Sequence, residues 1–152
     1  MKQNMDPTCR VRVLSVSQHE CDQIALAHIF GHTAWELETA RGLLEASQKL
    51  LRPQPGSGSP VIICDESLPD GTWKELLHLT QDLSRPHNLI VTSHCPDDRL
   101  WAEVLNFGAY DVLQRPFRAQ EVFRTVGLAW TDGRKMSVVS VPDLRIATTA
   151  VA

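Results

Sequence analysis

The stretch Val61–Gly71, VIICDESLPDG, decides the fold. Val61–Cys64 is an unbroken apolar run, the pattern of a strand buried on both faces of a parallel sheet. Asp65 follows at once, where such a strand leaves the sheet. Pro69 lies four residues on. Asp70-Gly71 then opens helical spacing, with Asp70 as an N-cap candidate. Open α/β sheets hold ligands outside the carboxyl ends of their strands, so Asp65 stands where chemistry is expected. Read alone, the same stretch is a core strand followed by an acidic turn, because Asp and Pro are ordinary turn residues.

Working outward, four further strands are expected: Val11–Val16, Trp35–Thr39, Leu89–Thr92 and Tyr110–Leu113. Helical spacing marks Cys21–Phe30, Gly42–Leu51, Gly71–Leu83, Pro96–Phe107 and Gln120–Trp130. Pro96 suits a first helical turn and Gly108 a left-handed cap. Arg52–Ser59 (RPQPGSGS) has linker composition but is too short to divide domains, and Arg85-Pro86 is a helix stop. Strands alternating with helices imply a parallel sheet with right-handed crossovers and helices on both faces. Asp132-Gly133 is expected to break the last helix, and Ser137–Val141 is either an added edge strand or part of a loose tail.

Size and composition narrow the function. The 152 residues suit one domain, and an apolar share of 43% supports a full core. Net charge is −3, which gives no bulk attraction to nucleic acid. No apolar run reaches the roughly 18 residues of a membrane span, and the first residues show no signal-peptide core. The four cysteines stand singly, without metal-site spacing, and read as reduced thiols of a cytoplasmic protein. GxGxxG and GxxxxGK[ST] are absent, which disfavours the nucleotide enzymes that use them. His28 is read as a helix-side residue with no second ligand at helical spacing. The other histidines, His19, His32, His78, His87 and His94, fall in loops or on helix faces with no nucleophile at a recognisable spacing.

Taken together, DESLPDG, Thr92 at the end of the fourth strand and LNFGAYDVLQRPF (Leu105–Phe117) resemble the receiver domain of bacterial two-component response regulators. The resemblance covers about residues 10 to 130. It implies a single-domain, flavodoxin-like α/β sandwich with a five-stranded parallel sheet of order 2-1-3-4-5. The receiver would span residues 10–131, with 132–152 as a tail. It further implies that Asp65 is the position that accepts a phosphoryl group from a histidine kinase. Thr92 would turn toward the phosphoryl oxygens, and Arg115 holds the place of the family's lysine. That lysine often precedes proline in a cis bond, so Arg115-Pro116 is expected to be cis too.

Two of the family's supporting elements are changed. The acidic pair that binds Mg²⁺ after the first strand is replaced by Ser17 and Gln18. Mg²⁺ prefers near-octahedral oxygen ligands, including one or two carboxylates. Here Asp65, the backbone carbonyl of Ser67 and Gln18 would hold it weakly, with Glu20 or Glu66 helping only if turned inward. Arginine for lysine substitutes a planar fork for a point charge, so Arg115 is expected to reach Asp65 directly.

The expected function is therefore a non-enzymatic signalling receiver with an atypical or degenerate site, acting through protein–protein contact. Its partners would be a histidine kinase or another signalling protein, with a homodimer through the helix 4–strand 5–helix 5 face. That face would carry Arg99, Trp101, Glu103, Tyr110, Arg118, Glu121 and Arg124. Neither nucleic acid nor membrane is an expected partner. Val112 stands where the family's switching aromatic belongs, so coupling to Thr92 should be weak. The alternative is a flavodoxin-like domain that binds a small anion or hydrolyses a substrate with Asp65, Thr92 and Arg115.

Overall fold

The computed structural model describes residues 11–52, 59–83, 85 and 87–138, with side chains as far as Gly133. Its main sheet has five parallel strands: β1 Arg12–Val16, β2 Glu36–Ala40, β3 Val61–Asp65, β6 Leu89–Ser93 and β7 Asp111–Gln114. They lie in the order β2-β1-β3-β6-β7. With the two short strands described below left out of the count, this is the 2-1-3-4-5 order expected. Five helices connect or follow them: α1 Glu20–Phe30, α2 Leu43–Leu51, α3 Trp73–Gln81, α4 Asp98–Phe107 and α5 Ala119–Val138.

Strand β3 explains the layering. Its side chains alternate between faces, and all five of its residues are buried. Ile62 and Cys64 face a core built with Ala46, Leu50, Leu76, Leu77 and Val104. Val61 and Ile63 face the opposite core with Leu26, Phe30, Val122, Val126 and Trp130. Each fully buried aliphatic side chain contributes roughly 1.5–3 kcal/mol of transfer free energy, so β3 ties both layers together.

The turn after β3 differs from the expectation. Ser67–Leu68 (β4) and Gly71–Thr72 (β5) pair as a small antiparallel ladder around Pro69-Asp70. Helix α3 therefore begins at Trp73, with Thr72 at the N-cap and Glu75 Oε1 accepting from the Thr72 N–H at 2.9 Å. Asp70 does not cap α3. Its carboxylate accepts from the backbone N–H groups of Leu43 and Leu44, at 2.6 and 3.0 Å, and so caps α2. Those orphan amides are what an N-cap satisfies, and here the acceptor comes from a distant segment. Gly42 makes this possible, since a Cβ there would lie 2.6 Å from Asp70 Oδ1.

Other boundaries moved for local reasons. Asp97 caps α4 through the Leu100 N–H at 2.9 Å, so Pro96 precedes the cap instead of entering the first turn. Gly108 closes α4 in the left-handed region, at φ 90°. Helix α3 ends at Gln81, short of Arg85; Pro86 lies outside the described residues. Helix α5 does not stop at Asp132-Gly133 but continues to Val138. Buried Ala129 and Trp130 anchor it, and the Tyr110 hydroxyl donates to Asp132 at 2.6 Å. This packing outweighs the roughly 1 kcal/mol that a helical glycine costs. Ser137 and Val138 are thus helical, and residues 139–141 of the expected edge strand lie outside the described residues, as does most of the 52–59 linker. His28 does have a companion at helical spacing: His32 meets it edge to face, with ring centroids 5.9 Å apart. Among the described residues no helix is long and apolar enough to cross a membrane.

Candidate functional site

Three strand ends form the site. In the sheet register Asp65 of β3 lies beside Thr92 of β6, and Thr92 lies beside Leu113 of β7. Two residues after Leu113 the chain turns at Arg115, whose N–H donates to the Ser93 carbonyl at 2.9 Å and whose bond to Pro116 is cis. This brings the Arg115 side chain back over the strand ends.

The guanidinium is 4% exposed and Asp65 2% exposed. Arg115 Nη2 donates to Asp65 Oδ1 at 3.2 Å, and Nη1 approaches Asp65 Oδ2 at 3.4 Å. Nη1 also donates to Asp22 Oδ2 at 2.5 Å. Asp22 sits in the first turn of α1 and its side chain is 13% exposed. A third group arrives from the β1–α1 loop: His19 Nε2 lies 3.4 Å from Asp65 Oδ2, with its ring half exposed. Two carboxylates, one guanidinium and an imidazole therefore converge at one sheet edge. Arg115 Nε is buried without a hydrogen-bond partner.

The loop that brings His19 and Asp22 is pinned from below. Gln23 Nε2 donates to the carbonyl oxygens of Ser15, Ser17 and Ala40, at 3.2, 3.1 and 3.2 Å. The Ser17 hydroxyl accepts from the His19 N–H at 3.0 Å. The hydroxyl and the carbonyl of Ser17 thus serve loop geometry.

Each expected site residue has a definite place. Asp65 and Arg115 are in contact, and Thr92 is buried beside Asp65. Gln18 is exposed, and His19 is the residue of that loop that meets Asp65. Ser67 is exposed and paired with Thr72 in the small ladder. Glu66 turns to Ser93, whose hydroxyl donates to Oε2 at 3.0 Å, and Glu20 is exposed. His19, Asp22 and Gln23 were not singled out as site residues. The signal for Asp22 was an acid in the first turn of α1, four residues after Gln18.

A divalent cation does not fit this donor set. Both oxygens of Asp65 and the near oxygen of Asp22 already face one guanidinium. Among the described residues no group of three acids, histidines or cysteines is placed to hold a metal. Next to the site, burial pushes the Cys64 thiol far up, and its S–H donates to the Asp65 carbonyl at 3.2 Å. Cys64 is therefore a core residue with no nucleophilic role.

On the neighbouring face, Val112 is buried and Trp101 is 38% exposed. Glu103 pairs with Lys74 and Arg99 at 3.5 and 3.8 Å. Tyr110 is bound to Asp132 and packs with the α1/α5 core, so it is not free to swing toward Thr92.

No protein-family model and no curated protein matches the chain. Solved structures do. The receiver domain of a putative LuxO repressor from Vibrio parahaemolyticus is similar with a TM-score of 0.74 and 22% identity, over 87% of this chain and 98% of that one. The receiver domain of an HD domain-containing protein from Pseudomonas fluorescens Pf-5 gives 0.74 and 23%, over 88% and 96%. The beryllofluoride-activated NtrC4 receiver domain dimer gives 0.68 and 26%, over 80% and 98%. Sheet order, helix placement and these likenesses agree: the chain has the CheY-like receiver fold of two-component response regulators.

Proposed function

We propose that this chain is a signalling receiver that acts through protein–protein contact without a phosphorylation switch. Asp65 occupies the phosphoacceptor position, and the observation that carries the reading is the Arg115 guanidinium on both of its oxygens. Phosphoryl transfer needs a carboxylate oxygen free to attack in line and cations placed on the developing charge. Here the acceptor oxygens are occupied, and the cation is bonded to the nucleophile instead of the phosphoryl group. The partner would be a histidine kinase or another signalling protein. The α4–β7–α5 face suits such a partner or a second copy, with Trp101 and Leu105 exposed one turn apart. The small-anion reading is weaker, because the one buried guanidinium of the site already serves two carboxylates.

The test is intact-mass analysis after incubation with acetyl phosphate and Mg²⁺. The expected result is no added phosphoryl group. A phosphorylated species that disappears in Asp65→Asn would overturn the reading.

A further inference from the structure

The layer of helices on the face opposite α1 and α5 carries an exposed apolar stripe and an apolar groove side by side. We infer that two copies of this chain associate through that layer, with Leu44 and Leu51 of each copy's α2 lying in the groove between α3 and α4 of the other. This stands apart from the phosphorylation reading, since neither Asp65 nor Arg115 lines the groove.

Helices α2, α3 and α4 cover one face of the sheet, where Ala46, Leu50, Leu76, Leu77 and Val104 share a core. Each follows one parallel strand and precedes the next, so all three run the same way. On α2, Ala46 and Leu50 take the buried side, while Leu44 and Leu51 are 65% and 64% exposed. Seven residues apart, these leucines share one stripe about 10.5 Å long. Beside α2 lies α3, and between α3 and α4 opens a groove of about 590 Å³. Leu79 and half-exposed Phe107 supply apolar lining, and Trp73 holds the Phe107 ring edge to face at 5.8 Å. Scattered surface leucines are ordinary, but a stripe and a groove on one face mark a contact surface.

Charge selects a second copy as the occupant. The α3 side of the groove carries Glu75 and Asp82, also seven residues apart, and among the described residues neither has an ion-pair partner. Glu75 accepts from the Thr72 N–H through Oε1 alone. Lys74 is paired with Glu103 at 3.5 Å, so the open charge of the groove is negative. Helix α2 is flanked by Arg41 and Arg52. Arg52 bonds Glu38 at 2.6 Å, and its guanidinium has further N–H donors. With a two-fold axis parallel to the helices, α2 of one copy lies along the groove of the other in the same direction. Arg41 then meets Glu75 and Arg52 meets Asp82, while the leucines fall between them on Leu79 and Phe107. Because stripe and groove lie on one face, the contact closes as a dimer instead of growing into a filament. The arrangement does not use Trp101 or Leu105, which leaves the α4–β7–α5 face to a signalling partner.

The experiment is sedimentation equilibrium of the full chain over roughly 5–500 μM, the range suited to a contact at the small end of specific interfaces. Wild type should form a dimer with a Kd in the micromolar range. Leu51→Glu puts an acid beside Asp82 of the other copy, and Asp82→Lys puts a cation beside Arg52. Each should weaken the dimer by about ten-fold or more. Mixing the two variants in equal amounts should restore it, because the new acid of one chain then faces the new cation of the other, and the second contact is native. Both positions are exposed, and recovery on mixing shows that both variants are folded. The double variant Trp101→Ala/Leu105→Ala should leave the constant unchanged. A wild type that stays monomeric across the range overturns the inference. So does a dimer that Trp101→Ala/Leu105→Ala disrupts and Leu51→Glu does not. Failure to recover on mixing overturns it as well.

Discussion

Arg115 reaches back across fifty residues of chain to place Nη2 3.2 Å from Asp65 Oδ1 and Nη1 3.4 Å from Asp65 Oδ2. The contact joins the β7–α5 turn to the end of the central strand. Because both groups are nearly inaccessible to solvent, each is committed to the other. Breaking a buried pair by removing one partner leaves an uncompensated charge and typically costs about 3–5 kcal/mol.

Arg115→Ala should therefore lower the unfolding free energy by about 3–5 kcal/mol, read from urea denaturation. Arg115→Lys should cost less, about 1–3 kcal/mol, since an ammonium keeps the charge but cannot span both acids with a planar fork. If the two variants were equally stable to wild type, the pair would carry no structural weight.

Asp65→Asn should fold, and lose about 1–3 kcal/mol. An asparagine oxygen can still accept from Arg115, and Asp22 still balances the guanidinium. The far-ultraviolet circular dichroism spectrum should match wild type. An unfolded variant would show that the sheet depends on the Asp65 charge.

Asp70 gives an acid-range prediction. The N–H groups of Leu44 and Leu43 hold its carboxyl below the ordinary carboxylate range. A carboxyl with a depressed folded-state pKa contributes stability above its unfolded value, near about 3.9, and loses it as pH falls through the folded value. Asp70→Ala should thus melt at a lower temperature than wild type at pH 7, and the gap should narrow as pH falls below the unfolded value, near about 3.9. Gly42→Ala should mimic the loss at neutral pH, because its Cβ would displace the Asp70 carboxylate. A gap independent of pH would mean that Asp70 acts by packing and not as an anionic cap.

Tyr110 gives the alkaline counterpart. Burial, then the Asp132 hydrogen bond, pushes its hydroxyl up to about 12. A raised folded pKa means that the folded state holds the proton more tightly. Its contribution is complete below the unfolded value, near about 10, and is lost as pH rises through the folded value. Tyr110→Phe should therefore flatten the fall in stability above about pH 10. Tyr110 is the single tyrosine of the chain, so tyrosinate absorbance reports it alone. An ordinary titration midpoint in the folded protein would contradict the assignment.

The sheet was legible in the sequence because its strands are nearly continuous apolar runs, and Val61–Cys64 can be buried on both faces only in this kind of layer. The Asp65–Arg115 contact was legible through the resemblance and the reach of the arginine fork. Asp22 was not, since nothing in local spacing says which way a first-turn acid of α1 points; Arg115 decides it. The cap given by Asp70 was misplaced for a related reason. Local pattern assigns a capping acid to the next helix, while the fold gives it to α2, twenty-six residues back at Leu44. The continuation of α5 through Asp132-Gly133 likewise depends on Trp130 and Tyr110, whose packing is tertiary.

On this reading the Arg115 guanidinium already fills the role that phosphoryl group and metal share in a switching receiver. The most direct test is a pair of ¹H–¹⁵N correlation spectra, before and after saturating beryllofluoride and Mg²⁺. The amides of Asp65, Thr92, Arg115 and the α4–β7–α5 face should keep their positions. Concerted shifts across that face, abolished by Asp65→Asn, would contradict it.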